Sequence, residues 1–491
     1  MKTVWSLSLH SQHLDTSNSS LTTPLRVEAL STCATGWIPL STSQEGPLSC
    51  SHQAKKQQIL TYTNYLTNST INGQIAQKLN GATVLIEHRF FGNSNPNYEM
   101  TVDYLQYLTV QQAIDDLVYF AQTVTLPFTG GDAVKPDQAP WVIVGGSYSG
   151  ALAAYAMANQ PDVFWAGWSS SGVVQGIVNY YGYFQPIQEN MPKNCSADVA
   201  AVIAHIDSIA DDTTAFNAFK AQFGLSDITA ASDVAAALRY NLFDYQSLQP
   251  YSGTTEQQFF KFCDALEVDG GKVAPATGFG LNHTLSAWGS YLTNTYLPSI
   301  CGDDDMETCL GTPPPDSEYY SNDYTPNSAR AWAWMTCNEF GFFQDSPPTG
   351  QTAIVSRLVQ PSADELRCQY MFPEAFSSPP VPNVQQTNSV FGGWNLNVPR
   401  LFFGAGSRDP WREATMAAEG VTPPNVDPSN IGLSDGMHCS DLLTQAGAVD
   451  STVLAVQQAG LAKIEQWVKE FVPASKKRSV ERGYGYPVHK A

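Results

Sequence analysis

Residues 141–150 read Trp-Val-Ile-Val-Gly-Gly-Ser-Tyr-Ser-Gly. The first four are apolar and mostly β-branched, which suits a strand covered on both faces. Small residues then crowd around Ser147, and a small-residue apolar segment, Ala151 to Met157, follows. Strand, sharp turn and helix in that order make a nucleophile elbow, where only small residues fit beside the serine. That element commits the chain to an α/β fold with Ser147 at the carboxyl edge of a sheet. The fifth position of G-x-S-x-G is Ser149 here, not glycine. Serine is small enough for the turn to form.

The surroundings extend the pattern. Thr83-Val84-Leu85-Ile86 reads as a buried strand, and residues 108–124 carry Val110, Ile114, Leu117, Val118 and Phe120 at helical spacing. Strand, helix, strand, helix is the logic of a parallel sheet with helices on both faces. The texture changes after about residue 173. Residues 198–240 are rich in Ala, Asp and Leu and read as helical, while 251–390 carry aromatics, prolines and five of the cysteines. A sheet-type strand returns at Pro399-Arg400-Leu401-Phe402-Phe403, and a helix over 447–471 closes the fold. The expected architecture is an α/β-hydrolase sheet domain made of 61–172 and 391–475. It is interrupted by a mostly helical cap insertion, 173–390, over the strand ends, where ligands of such sheets bind. Residues 1–60 read as a divergent or truncated amino-terminal segment and 476–491 as a disordered basic tail.

Composition narrows the function classes. With 491 residues, 43% of them hydrophobic, the chain can bury a large core. A net charge of −20 argues against nucleic acid and anionic membranes. No run of about 18 apolar residues predicts a membrane span. The nine cysteines form no CxxC pair and no Cys/His metal pattern, so no metal is expected. Dispersed cysteines, with sequons at Asn18, Asn68, Asn194 and Asn282, favour a disulfide-permissive secretory compartment and a glycoprotein. The odd count leaves at least one thiol outside an intramolecular disulfide. Met1 to Leu9 starts like a signal peptide, but His10-Ser11-Gln12-His13 interrupts it too soon; it reads as no convincing signal.

A serine hydroxyl needs a base within hydrogen-bond reach and an acid to orient that base. Of eight histidines, only His438 and His489 lie beyond the returning strand, and His489 is in the tail. His438 follows Gly436-Met437 in a small-residue loop before the last helix. Asp409 lies between strand and histidine, in Ser407-Arg408-Asp409-Pro410-Trp411. Ser147, Asp409 and His438 therefore occur in the chain order of α/β-hydrolases, with the Tyr148 backbone N–H as one oxyanion donor.

Several separated segments resemble the serine peptidase family of lysosomal Pro-X carboxypeptidase and dipeptidyl peptidase II. They are Glu87-His88-Arg89-Phe90-Phe91-Gly92, Leu108-Thr109 with Gln112-Ala113-Ile114 and Asp116, and Gly145–Gly150. Cys337-Asn338-Glu339-Phe340-Gly341, Phe391-Gly392-Gly393-Trp394, Asp409-Pro410-Trp411 and Gly436-Met437-His438 complete the set. Tyr65–Thr70, Met191–Ser196 and His438–Leu442 bring it nearest to the fungal acid prolyl endopeptidases. The resemblance covers roughly residues 62–472. It implies cofactor-free cleavage of proline-containing peptides on the carboxyl side of proline, by the triad already found from order. It also implies a secreted or vacuolar, lysosomal-type location, and an acid-active relative would need a His438 pKa kept low. Trp332, Trp334, Met335, Glu339 and Phe340 are the candidates for a proline pocket. Glu87 and Arg89 read as a structural ion pair.

The chain departs from the family at its amino end. The loop after an early strand, which in such hydrolases supplies the second oxyanion N–H, is not recognisable in residues 1–60. Lacking that donor would cost about 10²–10³ in kcat, and edge strands of the sheet would be missing too. An esterase on the same fold, or a catalytically impaired homologue, is the alternative that the residues leave open. Endo- against exopeptidase action and oligomeric state are not encoded in these patterns.

Overall fold

The computed structural model describes residues 5–10 and 66–474, apart from residues 93, 96, 98, 127–129, 255 and 322–326. Apart from the two-residue hairpin strands Val268–Asp269 and Lys272–Val273, its strands are β1 (Trp5–His10), β2 (Ala82–His88), β3 (Trp141–Gly146), β4 (Ala166–Ser170), β5 (Ile177–Asn179), β6 (Gly341–Phe343), β7 (Leu401–Gly406) and β8 (Ile431–Ser434). Among the described residues, six of them form one sheet in the order β8-β7-β4-β3-β1-β2, every pairing parallel. All carboxyl ends therefore share one edge.

The helices that matter for the site are α1 (Ile71–Leu79), α2 (Val110–Thr123), α3 (Tyr148–Asn159), α4 (Lys193–Ile209), α5 (Ala231–Phe243), α6 (Gln258–Glu267), α7 (Leu281–Tyr291), α8 (Ser328–Met335) and α9 (Ser451–Lys469). Successive side chains of β3 point to opposite faces. Val142 and Val144 join Trp168, Phe402, Ile71 of α1 and Ile464 of α9 on one face. Trp141 and Ile143 join α2 and α3 on the other. Burial on both faces is why β3 is apolar without alternation. Helix α3 is buried from Tyr148 to Met157; its alanines let a helix run through the core. Helix α2 buries Val110, Ala113, Ile114, Leu117, Phe120 and Ala121, and Thr109 caps it by accepting the Gln112 N–H.

Two readings of the sequence need correcting. Trp5–His10 is not outside the fold: it is an inner strand, pairing with β2 on one side and β3 on the other. Its apolar alternation, Trp5, Leu7 and Leu9, is three residues long and is diluted by serines and histidines, too little for a periodicity signal. The closing helix is two helices, Thr444–Val449 and α9, broken at Asp450. Asp450 is extended and its carboxylate accepts the Thr452 and Val453 N–H groups, a capping role that ends one helix and starts the next.

Between β4 and β7 the chain leaves the main sheet and is mostly helical, with α4 to α8 and the short parallel pair β5–β6. Three disulfides pin this segment: Cys195–Cys263 ties α4 to α6, and Cys301–Cys309 and Cys337–Cys368 close local loops. Cys439 is a free, buried thiol, and Cys33 and Cys50 lie outside the described residues. Asn68 and Asn282 are exposed, Asn194 is half-buried, and Asn18 lies outside the described residues. Among the described residues no helix is long and apolar enough to cross a membrane.

Candidate active site

The elbow forms as a chain of close approaches demands. Ser147 joins β3 to α3 at φ 57° and ψ −128°, a conformation that L-residues avoid and that tertiary contacts must hold. Its N–H donates to Ser170 O at 2.9 Å, and its carbonyl accepts the Ala151 N–H at 3.0 Å. A Cβ on Gly145 would stand 1.9 Å from the Ser149 carbonyl oxygen; one on Gly150 would stand 2.7 Å from Ser170 O and 2.9 Å from Gly172 Cα. The contacts that forbid a side chain thus fall on 145 and 150. This explains why Ser149 is tolerated at the fifth position of the motif.

The two other predicted residues meet in a buried site. His438 Nδ1–H donates to Asp409 Oδ1 at 2.8 Å, and the same oxygen accepts the Trp411 N–H at 2.9 Å. Asp409 is 0% and His438 4% exposed. His438 Nε2 is buried without a hydrogen-bond partner among the described residues. The loop that carries His438 and the elbow converge on the end of β4. Ser170 O holds the Ser147 N–H, and Ser171 Oγ accepts the Cys439 N–H at 2.9 Å. A nearby acid, Asp441, is not the partner of His438. Its carboxylate accepts from Trp168 Nε1 at 2.7 Å and Ser170 Oγ at 2.6 Å, so it anchors the loop that carries His438 to β4.

The electrostatics of the pair favour the charged form of His438. Burial pushes the His438 pKa down, but attraction to the buried Asp409 carboxylate and their hydrogen bond outweigh it, with a smaller contribution from Cys439. The result is a pKa well above 6.5, not a low one.

Tyr148 is the first residue of α3, so its N–H has no acceptor within the helix. Its phenol lies 3.0 Å from His88 Nε2. Its ring meets Trp332 and Phe340, each at 5.6 Å between centroids. From Phe340 the aromatic wall runs through Phe342 to Trp411, which is 6.5 Å from the His438 ring. Of the other pocket candidates, Trp334 lies two residues along α8 from Trp332, hence on another face, and packs on Phe372 and Phe376. Met335 is fully buried in the core. Glu339 accepts the Val110 N–H at the start of α2, and burial raises its pKa to about 7. The expected Glu87–Arg89 pair is not found. Arg89 instead forms a two-pronged ion pair with Asp116 at 2.6 and 2.7 Å, and Glu87 accepts from Ser94 Oγ. Two glutamines that no motif announces also reach the site, Gln246 on Trp411 Nε1 and Gln249 on the His438 carbonyl.

The family described as "Serine carboxypeptidase S28" matches residues 62–460. A serine protease, vicPa, of Bipolaris victoriae is 32% identical over 431 residues, 83% of this chain and 80% of that protein. A probable extracellular serine carboxypeptidase of Arthroderma benhamiae is 29% identical over 71% of this chain and 51% of its own length. The thymus-specific serine protease of Mus musculus is 25% identical over 79% of this chain and 75% of its own.

Proposed function

The chain belongs to the serine carboxypeptidase S28 family, a serine peptidase family of α/β-hydrolase type, and on that footing we propose that it cleaves peptides on the carboxyl side of proline through Ser147, His438 and Asp409. His438 Nε2 takes the Ser147 proton as the hydroxyl attacks the carbonyl. Asp409 holds the imidazolium through Nδ1. The Tyr148 N–H, at the positive end of α3, faces the oxyanion. His438 then returns the proton to the leaving amine, and water hydrolyses the acyl-enzyme. The observation that carries this reading is the buried 2.8 Å Asp409–His438 hydrogen bond beside an unpartnered Nε2, at the sheet edge that also presents Ser147.

The segment between β4 and β7 acts as the cap in this reading. It lends Trp332 and Phe340, whose rings pack on that of Tyr148, the residue after Ser147. An apolar aromatic wall suits a proline ring, which offers shape and no N–H. Three disulfides suit an oxidising, secretory compartment. The substrate assignment is tested with matched peptides carrying Pro or Ala before the scissile bond, against a simple p-nitrophenyl ester. The expected result is a kcat/KM about 10²-fold higher for Pro than for Ala. Hydrolysis of the ester with no cleavage of either peptide would favour an esterase.

The raised His438 pKa predicts the pH profile. The base works only when neutral, so kcat/KM of the free enzyme rises with pH through the folded pKa, with its midpoint above pH 6.5. The stability that the Asp409–His438 pair adds runs the other way: it is complete below 6.5 and is lost as pH rises through the same folded pKa. A pH–rate profile whose acid limb has its midpoint well below 6.5 would contradict this electrostatic account.

A further inference from the structure

The acid loop and the base loop both belong to the sheet domain, yet each is gripped by the same short piece of the inserted segment. Residues 244–249 follow α5 directly. Gln246 Oε1 accepts from Trp411 Nε1 and from the Tyr183 hydroxyl, each at 2.8 Å. Trp411 is the residue whose backbone N–H donates to the Asp409 carboxylate. Three residues on, Gln249 uses both ends of its amide. Nε2 donates to the His438 carbonyl at 2.8 Å, and Oε1 accepts from Ser440 Oγ at 2.8 Å. Ser440 Oγ in turn accepts the Met437 N–H at 2.8 Å. One side chain therefore brackets the backbone from 437 to 440.

That stretch needs an external hold. Cys439 sits at φ 56°, the left-handed region that a non-glycine residue occupies at a cost. Ser171 holds its N–H from the β4 side. Gln249 holds the flanking residues from the opposite domain. With Cys439 fixed in that turn, the His438 Cα–Cβ bond has one direction, and the ring that keeps Nδ1 on Asp409 keeps Nε2 pointed into the site.

We infer that Gln249 is a positioning residue for His438, seconded by Gln246 at the acid loop, so that the inserted segment sets the alignment of the base. The inference rests on the proposed role of His438. Its action is indirect: Gln249 touches no reacting atom but fixes the backbone that carries one. A side chain that merely glued two domains together would alter stability and leave the chemistry of each folded molecule unchanged.

The test is Gln249→Met, which keeps length and shape and removes both hydrogen bonds. The readouts are the second-order rate of fluorophosphonate labelling at Ser147, and kcat and KM on the best substrate, all per titrated active site. The expected result is a 10- to 100-fold slower labelling rate and lower kcat, with KM within about twofold. The acid limb of the labelling rate should also move down toward pH 6.5 as the Asp409–His438 bond loosens. Labelling and kcat within twofold of wild type, with only the melting temperature lowered, would overturn the inference. Should Gln249→Met not fold, Gln249→Asn, which withdraws the amide by one methylene, carries the same expectation and the same refutation. Labelling does not depend on peptide specificity. A wild-type protein that labels at Ser147 but cleaves no prolyl peptide would refute the substrate proposal and leave this one standing on the variant's rate.

Discussion

Replacing Ser147 with alanine is expected to lower kcat by about 10⁴- to 10⁶-fold, the range seen when the nucleophile of a triad is lost. The residual rate would come from the oxyanion donor and substrate binding alone. The fold should hardly notice. The elbow is held by backbone groups, the Ser147 N–H on Ser170 O and the Ala151 N–H on Ser147 O, and alanine keeps both. Alanine also meets the same steric cost at φ 57° that serine already bears. The melting temperature should therefore stay within a degree or two while fluorophosphonate labelling disappears. Calorimetry beside active-site titration checks both halves. Persistent labelling at another serine would remove Ser147 from its assigned role.

Asp409→Asn carries the second large effect, a fall in kcat of about 10⁴-fold. An asparagine amide of the same shape either presents its NH₂ to His438 Nδ1, forcing the wrong tautomer, or turns its oxygen there and loses the charge. In both cases the imidazolium formed during attack is no longer held. The same change removes the attraction that raises the His438 pKa, so the acid limb of any residual activity should shift to lower pH. Asp441→Asn is the matched control. It lies three residues past His438 but serves Trp168 and Ser170, so it should cost stability with far less loss of kcat. Equal losses at 409 and 441 would mean that both acids act only on the loop scaffold.

Local chemistry made part of this site legible in the sequence. The elbow announces itself because a strand, a run of small residues and an apolar helix must be contiguous. Asp409 and His438 follow from it because a fixed fold order leaves few candidates. What the sequence hid has long-range causes. Nothing near Gln249 marks it, since its partner His438 is 189 residues away. Glu87 and Arg89 are close in the chain, but Arg89 lies one residue past the end of β2, where the strand's alternation no longer aims side chains, and its guanidinium reaches Asp116 on α2 instead. Strand β1 is illegible in the sequence because its six residues, set between β2 and β3, owe their conformation to pairing more than to composition. The break at Asp450 has a local signal, since Asp450-Ser451-Thr452 is a helix start inside an otherwise helical stretch.

The sheet order described above also dictates a sequence of events during synthesis. Strand β1 finds one neighbour after residue 82 and the other after residue 141. Beyond β4, the next strand of the sheet starts at residue 401, and His438 comes later still. As the chain leaves the ribosome amino end first, the proposed nucleophile emerges almost 300 residues before its proposed base (438 against 147). Such distant pairings make folding slow. They also mean that a half-made chain holds a serine with nothing to activate it. Topology thus sets an order of assembly: Ser147 is made long before the Asp409–His438 pair that the sheet edge brings beside the elbow.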